Sequence, residues 1–281
     1  MKLLQDLCPS YESEIFSTQL DLIRSRHRHA YELLLLAEHF YQQDAKQAIT
    51  LSECLAFLKT VSLPSSVKSI HDAVFVSFDG INGAGKSSCI SKLPKSLPYK
   101  VCLAAELRKH RRFLVFSELF ERIFTTHQQH VLVELIICLS ELALLHTTFV
   151  PEDYPVVVFD RYLLSPITSA GARLFDLQND VDDLLYFYNV FTANTLVRFP
   201  DLPIVIDVSL ETANGRRNVE RPNVFKNLSK LQQVARVYEI LCKNDSRIVV
   251  LDGSAMPDEV VRTAAAHIER IVRNQLGYVN D

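Results

Sequence analysis

Gly80, Gly83 and Gly85 are three of only seven glycines in this 281-residue chain, and all three fall within FDGINGAGKSSC, residues 78–89. Lys86, Ser87 and Ser88 follow them at once. Glycines let consecutive backbone N–H groups point into one small concavity, where a side chain would keep an anion out. A helix starting at this point adds the positive end of its dipole. Gly80-x-x-x-x-Gly85-Lys86-Ser87 is the P-loop pattern, which requires a strand before it and a helix after it. It assigns Gly80, Asn82, Gly83, Ala84, Gly85, Lys86, Ser87 and Ser88 to a phosphate cradle for ATP. Lys86 would reach the β- and γ-phosphates, and the Ser87 hydroxyl would ligate Mg²⁺. The plain alternative is a glycine-rich turn between strand and helix.

A second group of residues follows the apolar run Pro155-Val-Val-Val-Phe159, which reads as a buried strand ending in Asp160-Arg161-Tyr162. Ligands of open parallel sheets bind at the carboxyl ends of the strands. An Asp there can hold a magnesium-bound water, and an Arg can hold a phosphate bidentately. Taken alone, the same residues read equally well as a helix-capping Asp beside a surface salt bridge.

These residues need a scaffold, and the apolar pattern supplies one. Strands are expected at 73–78, 100–105, 155–159, 203–208 and 247–251. Helical stretches are expected at 86–97, 113–148, 165–196, 210–218, 227–243 and 256–275. Such alternation, with near-continuous apolar strands, argues for a parallel sheet covered on both faces. Residues 11–62 read as helical, with a second helix over about 45–58, so a helical hairpin precedes the first strand. The expected fold is α/β: a P-loop NTPase three-layer sandwich with a five-stranded parallel sheet, preceded by an α-helical hairpin. The expected division is an N-terminal helical extension, 1–70, and a P-loop kinase-like domain, 71–281.

Composition narrows the function classes. Hydrophobic residues make up 48% and the formal net charge is −3, which gives no bias toward nucleic acid or anionic membrane. No apolar run is long enough to span a bilayer, and the N-terminus lacks a signal-peptide core. The six cysteines are scattered without a CxxC pair, which reads as reduced thiols in a cytoplasmic setting. Neither His27-x-His29 nor His127-x-x-His130 has further ligands at metal spacing. The basic stretch RSRHRHA, 24–30, reads as a solvated helix face.

Together these segments resemble the thymidylate kinase family of nucleoside and nucleotide kinases. FVSFDGINGAGKSS is similar to that family's P-loop segment, and FDRYLLSPITSAGA to its DRY-x-x-S segment ending in Gly-Ala. PDLPIVIDVSLETANGRR (200–217), VARVYEIL (234–241) and VVLDGSAMPDEVV (249–261) resemble its later segments, in the right order. The resemblance covers roughly residues 73–276 and leaves 1–70 outside. It implies transfer of the γ-phosphate of ATP to a small-molecule acceptor with Mg²⁺. It also implies that Lys86 and Arg161 stabilise the transferring group while Ser87 and Asp160 serve the metal. The P-loop offers no arginine, so the resemblance points to the lid type, with Arg216, Arg217, Arg221 and Lys226 in GRRNVERPNVFK, 215–226. Nucleic-acid and membrane partners are not expected, and a homodimer is left open.

The acceptor half departs from the family. Asn82 replaces the P-loop acid that usually contacts the acceptor sugar. Ser169 and Ala170 stand where base contacts are expected. The helix before the DRY strand reads IICLSELALLH, without an aromatic and with Glu141 near the usual Arg. The second strand ends in AAELRKHRR, 104–112, where Arg-Glu-Pro is usual. A site that reads a base by hydrogen bonds discriminates strongly, so losing those groups argues for an acceptor other than thymidylate. Arg108, Lys109, Arg111 and Arg112 are candidates for a phosphate clamp or for a solvated helix start. A hydroxyl kinase would need a base, for which Glu106 and Asp79 are the candidates. A non-catalytic ATP-binding switch or scaffold is the third reading, which the retained Lys86, Ser87, Asp160 and Arg161 oppose.

Overall fold

In the computed structural model, the described residues are 2–8, 11–26, 28–44, 73–104, 118–119, 122, 131–148, 154–193, 197–220 and 228–276. Their elements, in chain order, are α1 (Lys2–Leu7), α2 (Glu14–Arg26), α3 (Arg28–Asp44), β1 (Val74–Asp79), α4 (Lys86–Ser96), β2 (Val101–Leu103), α5 (Val131–Thr148), β3 (Val156–Asp160), α6 (Leu164–Leu174), α7 (Val181–Ala193), β4 (Leu202–Asp207), α8 (Leu210–Glu220), α9 (Leu228–Asn244), β5 (Val249–Asp252) and α10 (Pro257–Leu276). By their contacts the residues divide into two units. One comprises Met1–Lys68, Leu107–Val150 and Tyr186–Arg198; the other comprises Ser69–Glu106, Pro151–Leu185 and Phe199–Asp281.

The second unit holds the sheet. All six residues of β1 are buried, as a strand covered on both faces requires. β1 pairs in parallel with β3 and β4, and β2 and β5 form the edges, giving the order β2-β3-β1-β4-β5. The expected α/β architecture with a five-stranded parallel sheet is therefore the observed one, each strand lying within two residues of its expected bounds. α10 shows why the helices cover the sheet: Val260, Val261, Ala264, Ala265, Ile268 and Val272 recur at helical spacing and are buried. On α4 the buried side chains are Lys86, Cys89, Ile90 and Leu93.

Two expectations change. The helical stretch expected over 165–196 is two helices, α6 and α7. Between them Asp176 makes an Asx-type turn, its Oδ1 accepting from the Gln178 N–H at 3.0 Å. Apolar periodicity continues on both sides of this turn, so period alone does not reveal the break. Helix also begins before the stretch expected over 11–62, with α1. Its first backbone N–H groups are satisfied by buried Glu38 of α3, which accepts from Leu3 N–H at 2.8 Å. In the same unit the hydroxyl of Ser140 on α5 donates to the Ala30 carbonyl at 2.6 Å. The second hairpin helix expected over 45–58 lies outside the described residues. Among the described residues, no helix is long and apolar enough to cross a membrane.

Candidate active site

The loop after β1 takes its shape from backbone that only glycine adopts freely. Gly80, Gly83 and Gly85 have φ of 124°, 89° and 97°. At Gly80 a Cβ would also lie 2.4 Å from the Ile206 carbonyl oxygen of β4, so the loop passes β4 at a distance no side chain allows. Gly85 caps α4 with no side-chain hydrogen bond, which leaves the first N–H groups of that helix directed at whatever occupies the concavity. Lys86 turns back over the loop and donates to the Gly80 and Ile81 carbonyls at 2.9 and 2.8 Å. It is 5% exposed. Burial, reinforced by the nearby Arg161 charge, lowers its pKa to about 7, against the opposing pull of Asp160 and Asp79.

Sheet register brings in the second motif. Phe78 of β1 pairs with Asp160 of β3, so β3 delivers Asp160 and Arg161 beside the loop. The Ser87 hydroxyl donates to Asp160 Oδ2 at 2.8 Å. Arg161 is the one non-glycine residue at positive φ among the described residues, with φ 68°. The reason is local: Tyr162 is buried against Phe159 with ring centroids 4.6 Å apart, and the Arg161 N–H returns to the Phe78 carbonyl at 3.0 Å. The turn between these anchors leaves Arg161 in a conformation that side chains rarely adopt. Its guanidinium donates to Asn82 Oδ1, to the Ser165 hydroxyl at 3.2 Å and to the Gly80 carbonyl at 3.4 Å.

Asp79, the last residue of β1, is fully buried. Its Oδ1 accepts from the Ser165 hydroxyl at 2.7 Å and the Tyr162 N–H at 3.4 Å. Burial raises its pKa above the usual carboxylate range, and the Ser165 hydrogen bond partly offsets this. On the other side of the loop, Arg216 of α8 donates to the Ala84 carbonyl at 3.3 Å and the Gly253 carbonyl at 3.0 Å. It thus joins the loop after β1 to the turn after β5.

Several residues expected from the sequence therefore converge: Asp79, Gly80, Asn82, Gly83, Ala84, Gly85, Lys86, Ser87, Asp160, Arg161 and Arg216. Ser88 is in the same turn but exposed, and its carbonyl accepts from Ser91. Ala170 is buried in α6 and Ser169 is half-buried. Glu106, Arg108, Lys109, Arg111, Arg112, Arg221 and Lys226 lie outside the described residues, as does the side chain of Arg217. Ser165 and Tyr238 were given no role on sequence grounds, although both sit inside segments that carry the family resemblance. Among the described residues no cluster of three or more His, Cys, Asp or Glu side chains could hold a metal. The Ser87–Asp160 oxygen pair suits magnesium, which keeps several waters and takes few protein ligands.

A family model for thymidylate kinase matches residues 78–264. The chain is 29% identical to a probable thymidylate kinase of Pyrobaculum aerophilum over 71% of its own length and 98% of that protein. It is 24% identical to a thymidylate kinase of Thermosipho melanesiensis over 73% of its own length and 100% of that protein. Among solved structures, the deoxyadenosine kinase from M. mycoides aligns with 70% of this chain and 100% of that one, at 18% identity and a TM-score of 0.47. The family match begins in β1, takes in the phosphate loop and the Asp160-Arg161 turn, and ends in α10, so the chain belongs to the thymidylate kinase family and is a P-loop nucleotide kinase.

Proposed function

We propose that this kinase transfers the γ-phosphate of ATP, with magnesium, to a nucleotide whose acceptor group is a phosphate, and that thymidylate is not its best acceptor. The observation that carries the reading is the pairing of Arg161 with Asn82. An acid at position 82 would neutralise the guanidinium, whereas an amide only orients it. Arg161 then keeps its charge for an anion. A phosphate acceptor also needs no base. Asp79, a candidate base for a hydroxyl acceptor, is fully buried with Oδ1 engaged by Ser165, which supports a positioning role for it instead.

On this reading Lys86 leaves its loop carbonyls for the β- and γ-phosphates, and the loop N–H groups hold them. Arg161 and Arg216 stabilise charge on the transferring group and its donor. Ser87 and Asp160 would hold magnesium, which supplies charge neutralisation across the phosphates when bound. Arg217 and Arg221 retain the lid roles expected from the sequence as part of this proposal, whereas Glu106, a candidate base for a hydroxyl acceptor, is not used by it.

The test is ADP release from Mg-ATP with separate nucleoside monophosphates and nucleosides. Turnover with a monophosphate other than dTMP is expected to be fastest. Turnover confined to nucleosides would replace the phosphate acceptor with a hydroxyl. A kcat/KM for dTMP within the usual range of about 10⁴–10⁸ M⁻¹s⁻¹ would overturn the exclusion of thymidylate.

A further inference from the structure

The Ser165 hydroxyl sits at a crossing of three hydrogen bonds. It is 2.7 Å from Asp79 Oδ1, 3.2 Å from an Arg161 guanidinium nitrogen and 3.1 Å from the Tyr238 hydroxyl. A serine hydroxyl has one proton and two acceptor sites. The serine proton goes to Asp79 Oδ1. Arg161 can only donate, so it takes one lone pair. That leaves the remaining contact for the Tyr238 phenol to donate, and the phenol also faces the Thr168 hydroxyl. This orders the network as Tyr238 to Ser165 to Asp79, with Arg161 donating into the centre. Burial raises the Tyr238 pKa above its ordinary value and keeps the donor proton in place.

Tyr238 reaches this crossing because α9 packs against α6. Gly171 lies on α6 with Ser165, and a Cβ there would be 2.8 Å from Leu184 and 3.6 Å from Val237. The absent side chain makes room for Leu184 of α7, while Val237 of α9, the neighbour of Tyr238, lies at ordinary contact distance. Tyr238 is buried, 5% exposed, and its phenol oxygen reaches the serine that touches the catalytic arginine.

We propose that Tyr238 is a positioning residue: acting through the Ser165 hydroxyl, it fixes the Arg161 guanidinium beside the phosphate loop. The proposal rests on the kinase reading only for its kinetic consequence. Without Tyr238 the serine hydroxyl loses one of its restraints and can rotate away from Arg161. Arg161 then keeps only its contacts to Asn82 and the Gly80 carbonyl.

The test uses the full chain as wild type, Tyr238→Phe, Ser165→Ala and the double variant. The side-chain NMR signals of the Arg161 guanidinium are assigned by their loss in Arg161→Lys. In the wild type its terminal N–H protons should be resolved. In both single variants they should average, while thermal unfolding stays cooperative. With Mg-ATP and a mixture of dTMP, dCMP, dAMP and dGMP, maximal ADP release should fall about tenfold in Tyr238→Phe, the loss expected for one well-placed hydrogen bond. KM for ATP should stay within about twofold. The double variant should be no slower than Ser165→Ala, because the tyrosine acts through the serine. Unchanged guanidinium signals in Tyr238→Phe overturn the proposal, and so does a double variant slower by the product of the two single effects. If Ser165→Ala fails to fold, the Tyr238→Phe spectrum still decides. A wild type that releases no ADP with the mixture counts against the kinase reading alone, since the guanidinium signals report on the network without turnover.

Discussion

The Ser87 hydroxyl donates a 2.8 Å hydrogen bond to Asp160 Oδ2, joining the first turn of α4 to the end of β3 across 73 residues of sequence. The two oxygens come together because β1 and β3 are neighbours in a parallel register that sets Phe78 opposite Asp160. Both are hard ligands at the carboxyl edge of the sheet, where ligands of such folds bind.

Magnesium should therefore tighten ATP binding in the wild type and lose that effect in Ser87→Ala and Asp160→Asn. Removing even an outer partner of a metal ligand costs about 10–100-fold in metal affinity, so a loss of at least that order is expected. Calorimetric titration of ATP with magnesium, and again with EDTA, measures it. Variants that keep the full magnesium effect would remove both residues from the metal site.

The buried Lys86 predicts a proton uptake. Its pKa falls from an ordinary 10.5 to about 7 because burial disfavours the ammonium. Between those values the folded chain holds fewer protons at this site than the unfolded chain. The contribution of Lys86 to stability is therefore complete above 10.5 and is lost as pH falls through about 7, so stability from this group rises with pH across that window. Triphosphate restores the charge. Binding of Mg-ATP near pH 8 should take up protons, and affinity should weaken as pH rises beyond about 7. Titrations in buffers of different ionisation heat measure the uptake, which Lys86→Met should abolish.

Gly80 and Gly215 should respond in opposite ways to alanine. At Gly80 the φ of 124° and the Ile206 carbonyl standing where a Cβ would point leave no place for a methyl group. Overpacking alone costs about 1–3 kcal/mol, and the backbone conformation adds to it. Gly215 lies inside α8 with nothing within 4 Å, so Gly215→Ala should stabilise by about 0.5–1 kcal/mol. Thermal unfolding of the two variants provides the comparison; equal melting points would contradict the geometry.

Asn82→Asp tests the charge argument for the acceptor. The new carboxylate would pair with Arg161 and cancel charge that the amide leaves available. KM for the nucleoside monophosphate turned over fastest should rise about tenfold, within the range by which a close opposite charge alters such a site. The melting temperature should hold or rise. An unchanged KM with dTMP still disfavoured would leave the acceptor preference without this explanation.

Much of the donor side was legible in the residues themselves. Gly80-x-x-x-x-Gly85-Lys86-Ser87 specifies a backbone shape and a chemistry at once, because its glycines are needed for positive φ and close approach. The strands were legible for a related reason: residues buried on both faces are mostly apolar, and VFVSF, VVVF and IVID show this. The turn at Asp176 was not, because helical periodicity runs through it.

What the sequence determined by itself is local: the phosphate loop, the five strands, and the pairing of an Asp and an Arg at the end of the third. Which of these touch was decided by the tertiary structure. Strand order and register are long-range, and they alone set Asp160 against Ser87 and Arg161 against Asn82. Asp79 reads in sequence as a candidate base, yet β1 buries it, and burial depends on every element packed around that strand. Ser165 and Tyr238 have no local signature as partners. They meet because α6 and α9 pack against one another, and the distance between two helices depends on side chains far apart in the chain.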